Sequence, residues 1–376
     1  VKIPLSAPEI LESEIEEVVA VLRGSQLSLG PKMEEFEAMV SGYVAQPHGI
    51  AVSSGTAGLH LCIRALGIRP GDEVIVPSFT FIAAANAIRY EGATPVFVDI
   101  DAASLNLDPS RIEEAITPRT RAILVVHTFG VPAEMRAVLE VARRRNLFVI
   151  EDACEALGAE IDGRRVGSFG HAAVFAFYPN KQITTGEGGV IVTADAALAR
   201  ECRAMRNHGR YENSGWHQHE ILGFNYRLWE INCALGCTQM RRLESILARR
   251  EAVARVYHAH LEQINDIVRP MIDLTNGRIS WFVYVVRLAE PFTRDQRNEI
   301  MHRLHQQGIG CGRYFAPIHT QPAYREYSVR HSLPVTECIS ERTLALPFFN
   351  QLSEPQIQVI TDALGWAIQE VSCSTA

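Results

Sequence analysis

Seven short runs of apolar, largely β-branched residues recur through the first half of the 376-residue chain, each followed by a longer stretch or a turn before the next begins. They are Gly49 to Ser53, Glu73 to Val76, Pro95 to Asp99, Ala122 to His127, Phe148 to Asp152, Ala173 to Phe177 and Val190 to Thr193. Helical patterns fall between them, for example at Leu59 to Leu66, Ile82 to Tyr90, Arg111 to Ile116 and Glu134 to Arg145. A strand that is apolar on both faces must be covered on both faces. Alternation with helices supplies that cover, so the expected fold is α/β with a mostly parallel sheet. Ligands of such sheets collect at the carboxyl ends of the strands, which makes the residues just after each run the place to look for chemistry.

After about residue 240 the pattern changes. A long helix over Met240 to Ile264 leads into a strand at Ile279 to Leu288, a helix at Arg294 to Gln307 and a closing helix at Glu354 to Val371. Proline-bearing loops at Pro317, Pro322, Pro334 and Pro347 separate the later pieces. The expected organisation is an amino-terminal arm and large α/β domain over 1–240, with a smaller α+β domain over 241–376. No apolar run approaches the roughly 18 residues of a membrane span, and the amino end lacks a charged-then-apolar leader pattern, so a cytoplasmic protein without a membrane partner is expected. A net charge of −7 argues against a nucleic-acid binder. The eight cysteines have no paired spacing, which suits reduced thiols. Neither Cys233 with Cys237 nor His217 with His219 has further ligands in view, and no metal site is expected.

Of the 36 basic residues only Lys2, Lys32 and Lys181 are lysines, so chemistry that needs a primary amine has three places to happen. Lys2 lies in a terminal arm and Lys32 among carboxylates. Lys181, in FAFYPNKQITTGEGG, follows an apolar strand inside the α/β region. No P-loop surrounds it; a surface position and an imine-forming amine are the competing readings. Asp152 ends the run LFVIED, where a buried carboxylate needs a positive partner, either an arginine or the ring nitrogen of pyridoxal 5'-phosphate (PLP). Ser53 to Gly58, SSGTAG, follows a strand and opens a helix. It suits either a phosphate at the positive helix end or a plain N-cap. It is not GxGxxG, and no acidic residue closes the next strand, which disfavours a dinucleotide. In PSFTF, Phe79 or Phe81 could stack on a flat ring or pack in the core. An anion turn, an aromatic, an acid and a lysine, all at strand ends, together match what PLP requires.

The series LSLGP, SSGTAGLHL, PGDEVIVPSFTFIAAANAI, GATPVFVDID, VIEDACEALGA, FYPNKQITTGEGG, GFNYRLWEINCALG and LPFFNQLSE runs nearly end to end. It resembles the DegT/DnrJ/StrS sugar aminotransferases of the fold-type I PLP enzymes. That resemblance implies a large domain with a mostly parallel seven-stranded sheet and a smaller carboxyl-terminal domain. It makes Lys181 the lysine that binds the cofactor as an imine and shuttles the proton, and Asp152 the partner of the pyridine nitrogen. Thr56 with the amides of Gly55 and Ala57 becomes the phosphate cradle, Phe81 the stacking aromatic, and Glu155, where many members have Gln, a neighbour of the ring oxygen. Asn225 corresponds to the asparagine that reaches the phosphate from a neighbouring subunit, which implies a homodimer with shared active sites. Ala176 stands where many members carry Ser, Gly58 where Ala is usual, and Leu157 where His is frequent. Lysine at 181 sets the chain apart from the related dehydratases, which have histidine there.

The function so implied is transamination of a nucleotide-linked keto-sugar with glutamate as amino donor. The ITTGEGG that follows the lysine is similar to that of members acting at C4 of a 4-keto-6-deoxyhexose. Tyr314 and His319 lie where members line the sugar pocket, a structural histidine being the alternative. Arg227 would position the dimer contact or an anionic substrate. The competing readings are the same chemistry on an aminocyclitol ketone, a non-catalytic regulator built on the fold, and an NAD-dependent sugar enzyme, the last weakened by the missing fingerprint.

Overall fold

The computed structural model describes residues 2–213, 215, 217–327 and 332–373. Its centre is a seven-stranded sheet made of β1 (His48–Val52), β2 (Glu73–Pro77), β3 (Thr94–Val98), β4 (Thr120–Val126), β5 (Phe148–Asp152), β8 (Ala172–Ala176) and β9 (Gly189–Thr193). Their order across the sheet is β1-β9-β8-β5-β4-β2-β3. The pairs β2–β3, β2–β4, β4–β5 and β5–β8 are parallel, while β9 runs antiparallel to both β8 and β1. The carboxyl ends of β1, β2, β3, β4, β5 and β8 therefore share one edge, and β9 starts from that same edge. Each of the seven expected strands is present. β2 and β9 are buried at every residue, as strands covered on both faces must be.

The covers follow from the helix faces. α3 (Gly55–Ala65), α4 (Ala83–Tyr90) and α7 (Ala196–Arg206) pack one face through Leu59, Ile63, Ile88 and Cys202. On the other face α6 (Met135–Arg145), with the short α5 (Ile112–Ala115), packs through Ile112, Val138 and Val141. α2 (Pro31–Tyr43) and α8 (Glu230–Arg241) add Phe36, Val40, Cys233 and Cys237. α1 (Glu12–Arg23) lies along α8. α3 begins four residues earlier than the apolar period suggests, because Ser54 caps it: its Oγ accepts the Ala57 N–H at 3.1 Å. Two-residue strands β6 (Glu160–Ile161), β7 (Arg164–Arg165) and β11 (Gly277–Arg278) form a small separate sheet.

The carboxyl-terminal part combines β10 (Ile267–Val268), β12 (Tyr284–Leu288) and β13 (Thr343–Leu346) in an antiparallel sheet. α10 (Arg294–Gln306) and α11 (Pro334–Arg342) pack on it, and α12 (Glu354–Cys373) packs on α10. Two expectations are corrected here. The helix expected over Met240 to Ile264 is two helices, because Arg242 leaves helical geometry (φ −103°, ψ 2°) between α8 and α9 (Leu243–His260). The break lets α9 bridge two cores: Leu243 and Leu247 pack beside the large sheet, Val253 and Tyr257 beside β12. The strand expected from Ile279 starts only at Tyr284. Residues 280–282 are buried, but side chains take their backbone groups: Arg250 donates to the carbonyls of Trp281 and Phe282, and Gln182 to that of Ser280. The amino-terminal arm packs with this part too, Ile3 bridging to Ile309. No helix among the described residues is long and apolar enough to cross a membrane.

Candidate active site

β8 and β9 are antiparallel neighbours, so the chain between them, residues 177–188, returns on itself at the shared strand edge. Phe177 N–H donates to the Gly188 carbonyl and Thr185 N–H to that of Phe177. The two threonines of the TTGEGG sequence satisfy the rest of the turn: Thr184 Oγ1 donates to the Phe177 carbonyl and Thr185 Oγ1 to that of Glu187. The Lys181 N–H closes a tight turn on the Tyr178 carbonyl at 2.9 Å. Gly189 is required by close approach, because a Cβ there would lie 2.8 Å from the Ser54 backbone. The loop thus carries Lys181 into a cavity of about 500 Å³ bounded by the ends of β1, β2, β5 and β8.

Lys181 Nζ lies 3.6 Å from Glu155 Oε1 and 4.0 Å from the centre of the Phe282 ring. Glu155 Oε2 accepts the N–H of Phe129 at 2.9 Å, and Phe129 itself is held at φ +56°, in the left-handed region. Burial pushes the Glu155 carboxyl above its usual range, against the opposing pull of Lys181 and that N–H. Asp152 is also buried at the cavity floor, and burial raises it, against hydrogen bonds from Cys154 and the charge of Lys181. Its Oδ1 takes the Cys154 N–H at 3.1 Å. No arginine pairs with it among the described residues, so the arginine partner considered from the sequence is not what the fold provides. A buried carboxyl facing a cavity is well placed to hold a cationic ring N–H.

Ser54, Gly55 and Thr56 form the opposite wall as the first turn of α3. Helix geometry leaves the first amides of that turn without intrahelical partners, and the helix dipole favours an anion there. Space is tight: a Cβ on Gly55 would come within 2.8 Å of both Ala176 Cβ and Cys154 Sγ. The two phenylalanines of PSFTF are sorted by the fold. Phe79 is fully buried against Phe129 and Phe315, whereas Phe81 lines the cavity and is 59% exposed. An aromatic face left open over a slot that holds an anion turn, a buried carboxyl and a lysine fits a flat, phosphorylated pyridine ring. PLP therefore fits the residues present.

Tyr314 lines the cavity from the carboxyl-terminal part, its ring parallel to that of Phe282. Three sequence candidates are not brought there. His319 does not line this cavity and is held between Ser78 (Nδ1 to Oγ, 2.7 Å) and Glu337 (Nε2 to Oε1, 3.3 Å). Arg227 donates to Asn207 Oδ1 at 2.9 Å, next to an arginine-lined hollow formed by Arg203, Arg206 and Arg210. Asn225 is exposed and bridges to Asn207, outside the Lys181 cavity. In the other direction, Cys154, Tyr178, Asn180 and Phe282 line the cavity without having been singled out from the sequence. Tyr178 and Asn180 flank the lysine at −3 and −1, which was a signal; Phe282 had none.

A lysine and an acid on the carboxyl edge of this sheet, with a helix start for the phosphate, define a PLP-dependent aminotransferase of fold type I. The chain belongs to the DegT/DnrJ/EryC1/StrS aminotransferase family, which it matches over residues 8–365. It is 41% identical over 365 residues to a GDP-perosamine synthase of Caulobacter vibrioides, covering 96% of this chain and 97% of that one. It is 37% identical over 374 residues to the spore coat polysaccharide biosynthesis protein SpsC of Bacillus subtilis, covering 96% of each. Among solved structures it superposes on DesV of S. venezuelae, crystallised in complex with a ketimine intermediate, with a TM-score of 0.89. That pair is 37% identical, over 97% of this chain and 98% of that one.

Proposed function

We propose that this protein transfers the amino group of glutamate to the keto carbon of a nucleotide-linked 4-keto-6-deoxyhexose. The observation that carries the reading is the position of Lys181: a cavity-lining amine beside Glu155 and above the buried Asp152. The name of the GDP-perosamine synthase, a GDP-linked amino sugar, supports a nucleotide-sugar acceptor and makes a GDP-linked one the first to test. PLP, when bound, supplies an electron sink that lets an amino group be taken up and released again.

The chain's own groups have distinct tasks in this reading. Lys181 anchors the cofactor and then, as a free amine, moves the proton between substrate carbon and cofactor. Asp152 would keep the ring nitrogen protonated, a role suited to a carboxyl that no arginine among the described residues pairs. The amides of Gly55, Thr56 and Ala57 with the Thr56 hydroxyl hold the phosphate, although the Ala57 N–H is already taken by Ser54 and contributes only by orientation. Phe81 would cover one ring face, and Glu155, 3.6 Å from the Lys181 amine, would neighbour the ring oxygen and orient the lysine. Asn225 and Arg227, remote from their own cavity, are assigned to the cavity of a second copy in a homodimer. The division into a cofactor-binding part over 1–240 and a smaller part from 241 is kept, with α9 spanning both.

The test is a panel of nucleotide 4-keto-6-deoxyhexoses incubated with PLP-loaded protein and glutamate, scored for 2-oxoglutarate and aminated sugar. Amination of at least one is expected. Turnover of a cyclitol ketone with none of the sugars would replace the acceptor, and absence of 2-oxoglutarate with every acceptor would defeat the reading.

A further inference from the structure

Asn180 stands immediately before Lys181 and lines the same cavity. Tyr314, which reaches over from the carboxyl-terminal part, lines that cavity with it. Asn180 Oδ1 is closed off from solvent and has no hydrogen-bond partner among the described residues. Buried polar atoms are nearly always paired, so an orphan acceptor on a residue that lines the cavity calls for a donor that arrives with a ligand. The side-chain amide turns about a broad, soft torsion, so a modest rotation presents the oxygen to the cavity. Tyr178, 52% exposed, stands at the same cavity and leaves that wall uncovered.

The two substrates of the proposed reaction differ in what they can offer. Apart from the amine that reacts, glutamate brings only carboxylates, which are acceptors and would repel a carboxamide oxygen. A keto-hexose brings hydroxyls. We propose that Asn180 Oδ1 accepts a hydrogen bond from the hydroxyl next to the keto carbon, so that the residue before the lysine selects hydroxylated acceptors. This deepens the aminotransferase reading and rests on it. Asn180 acts here as a specificity residue in the sugar half of the cycle. A site built to pair a substrate hydroxyl discriminates strongly against the analogue that lacks it, because the acceptor is then left unpaired.

The experiment separates the two halves of the reaction in PLP-loaded wild type, Asn180→Leu and Asn180→Asp. In the first half, glutamate alone is added and one round of 2-oxoglutarate release is timed. In the second, the amine-loaded protein receives either the 4-keto-6-deoxy sugar nucleotide or its 3-deoxy analogue. Wild type should prefer the hydroxylated acceptor by about a hundredfold or more in kcat/KM. Asn180→Leu should lose at least tenfold more in the sugar half than in the glutamate half, and most of the preference with it. Asn180→Asp keeps an acceptor oxygen and should retain the preference. Equal loss in both halves, or an intact preference in Asn180→Leu, overturns the proposal. If Asn180→Leu does not fold, wild type decides: equal kcat/KM for the two acceptors overturns it as well. Failure of wild type to release 2-oxoglutarate from glutamate would instead strike at the aminotransferase reading, a result distinct from any of these.

Discussion

Gly55→Ala is the sharpest test of the phosphate end of the site. Gly55 has no unusual backbone angle, so the substitution adds only a methyl group, and that methyl has nowhere to go. Its two nearest atoms, Ala176 Cβ and Cys154 Sγ, stand at 2.8 Å, where ordinary contact begins near 3.4 Å. Neither is the far end of a flexible side chain: one is the Cβ of a strand residue, the other a thiol packed under the Val174 carbonyl. The start of α3 must therefore back away from β8 by a substantial fraction of an ångström. Overpacking of this kind costs about 1–3 kcal/mol in stability. The larger effect falls on the ligand. If the amides of Gly55 and Thr56 lose contact with a phosphate, at about 1.5 kcal/mol or more each, PLP affinity falls by roughly a hundredfold. The assay is a titration of the PLP-free protein followed by cofactor absorbance, with thermal melting of the same sample. Gly42→Ala, exposed near the end of α2 with nothing within 4 Å of the new Cβ, is the control; it should change stability by no more than about 0.5 kcal/mol and leave PLP affinity alone. Adding Ala176→Gly to Gly55→Ala relieves one of the two clashes and should recover part of the loss. Wild-type PLP affinity in Gly55→Ala would refute the placement of the phosphate at this helix start.

Other expected outcomes are independent of that one. Lys181→Arg keeps the charge but not the transferable proton and should lower turnover by about 10²–10⁴-fold, with no borohydride-fixed cofactor; turnover within tenfold of wild type would contradict its role. Glu155 has a folded-state pKa raised, chiefly by burial, above its ordinary value of 4.5. The folded protein then holds this proton more tightly than the unfolded chain, so stability present below pH 4.5 is lost as pH rises through the raised value. Glu155→Gln removes that loss, and melting curves of the PLP-free proteins should converge at low pH and favour the variant as pH rises. The opposite order would reject the burial argument. Glu230 is buried and accepts the N–H groups of Gly30, Lys32 and Met33 at the start of α2. Glu230→Gln should cost about 1.5–3 kcal/mol in urea unfolding, since charge-assisted bonds to a helix start are weakened; an unchanged midpoint would discount the cap.

The local rules account for what was readable in advance. Apolar runs bounded by turns placed all seven sheet strands within two residues at each end, because a strand buried on both faces leaves few positions for polar residues. Short-range chemistry worked likewise: the serine cap of α3 and the acid at the end of β5 are properties of a few consecutive residues. Errors came where long-range partners decide. Residues 279–283 read as strand by composition, yet Arg250 and Gln182 take the carbonyls of 280–282. No local pattern could show that the cap of α2 lies 200 residues away, on Glu230. Nor could one show that His319 bonds Ser78 and Glu337.

The sequence by itself determined that the chain is α/β, that Lys181 is its one lysine at a strand end, and that an acid, a pair of phenylalanines and a turn suited to an anion or a plain N-cap stand at other strand ends. These follow from periodicity and from the few functional groups that can do amine chemistry. Only the tertiary structure decided which of Phe79 and Phe81 faces the cavity, that no arginine among the described residues pairs with Asp152, and that Asn180 and Tyr314 line one cavity. The reason is physical. Which side of a turn a ring points to, and whether a carboxyl or carboxamide finds a partner, depend on segments brought together by packing of the carboxyl-terminal part against the sheet edge, and no local pattern encodes that distance.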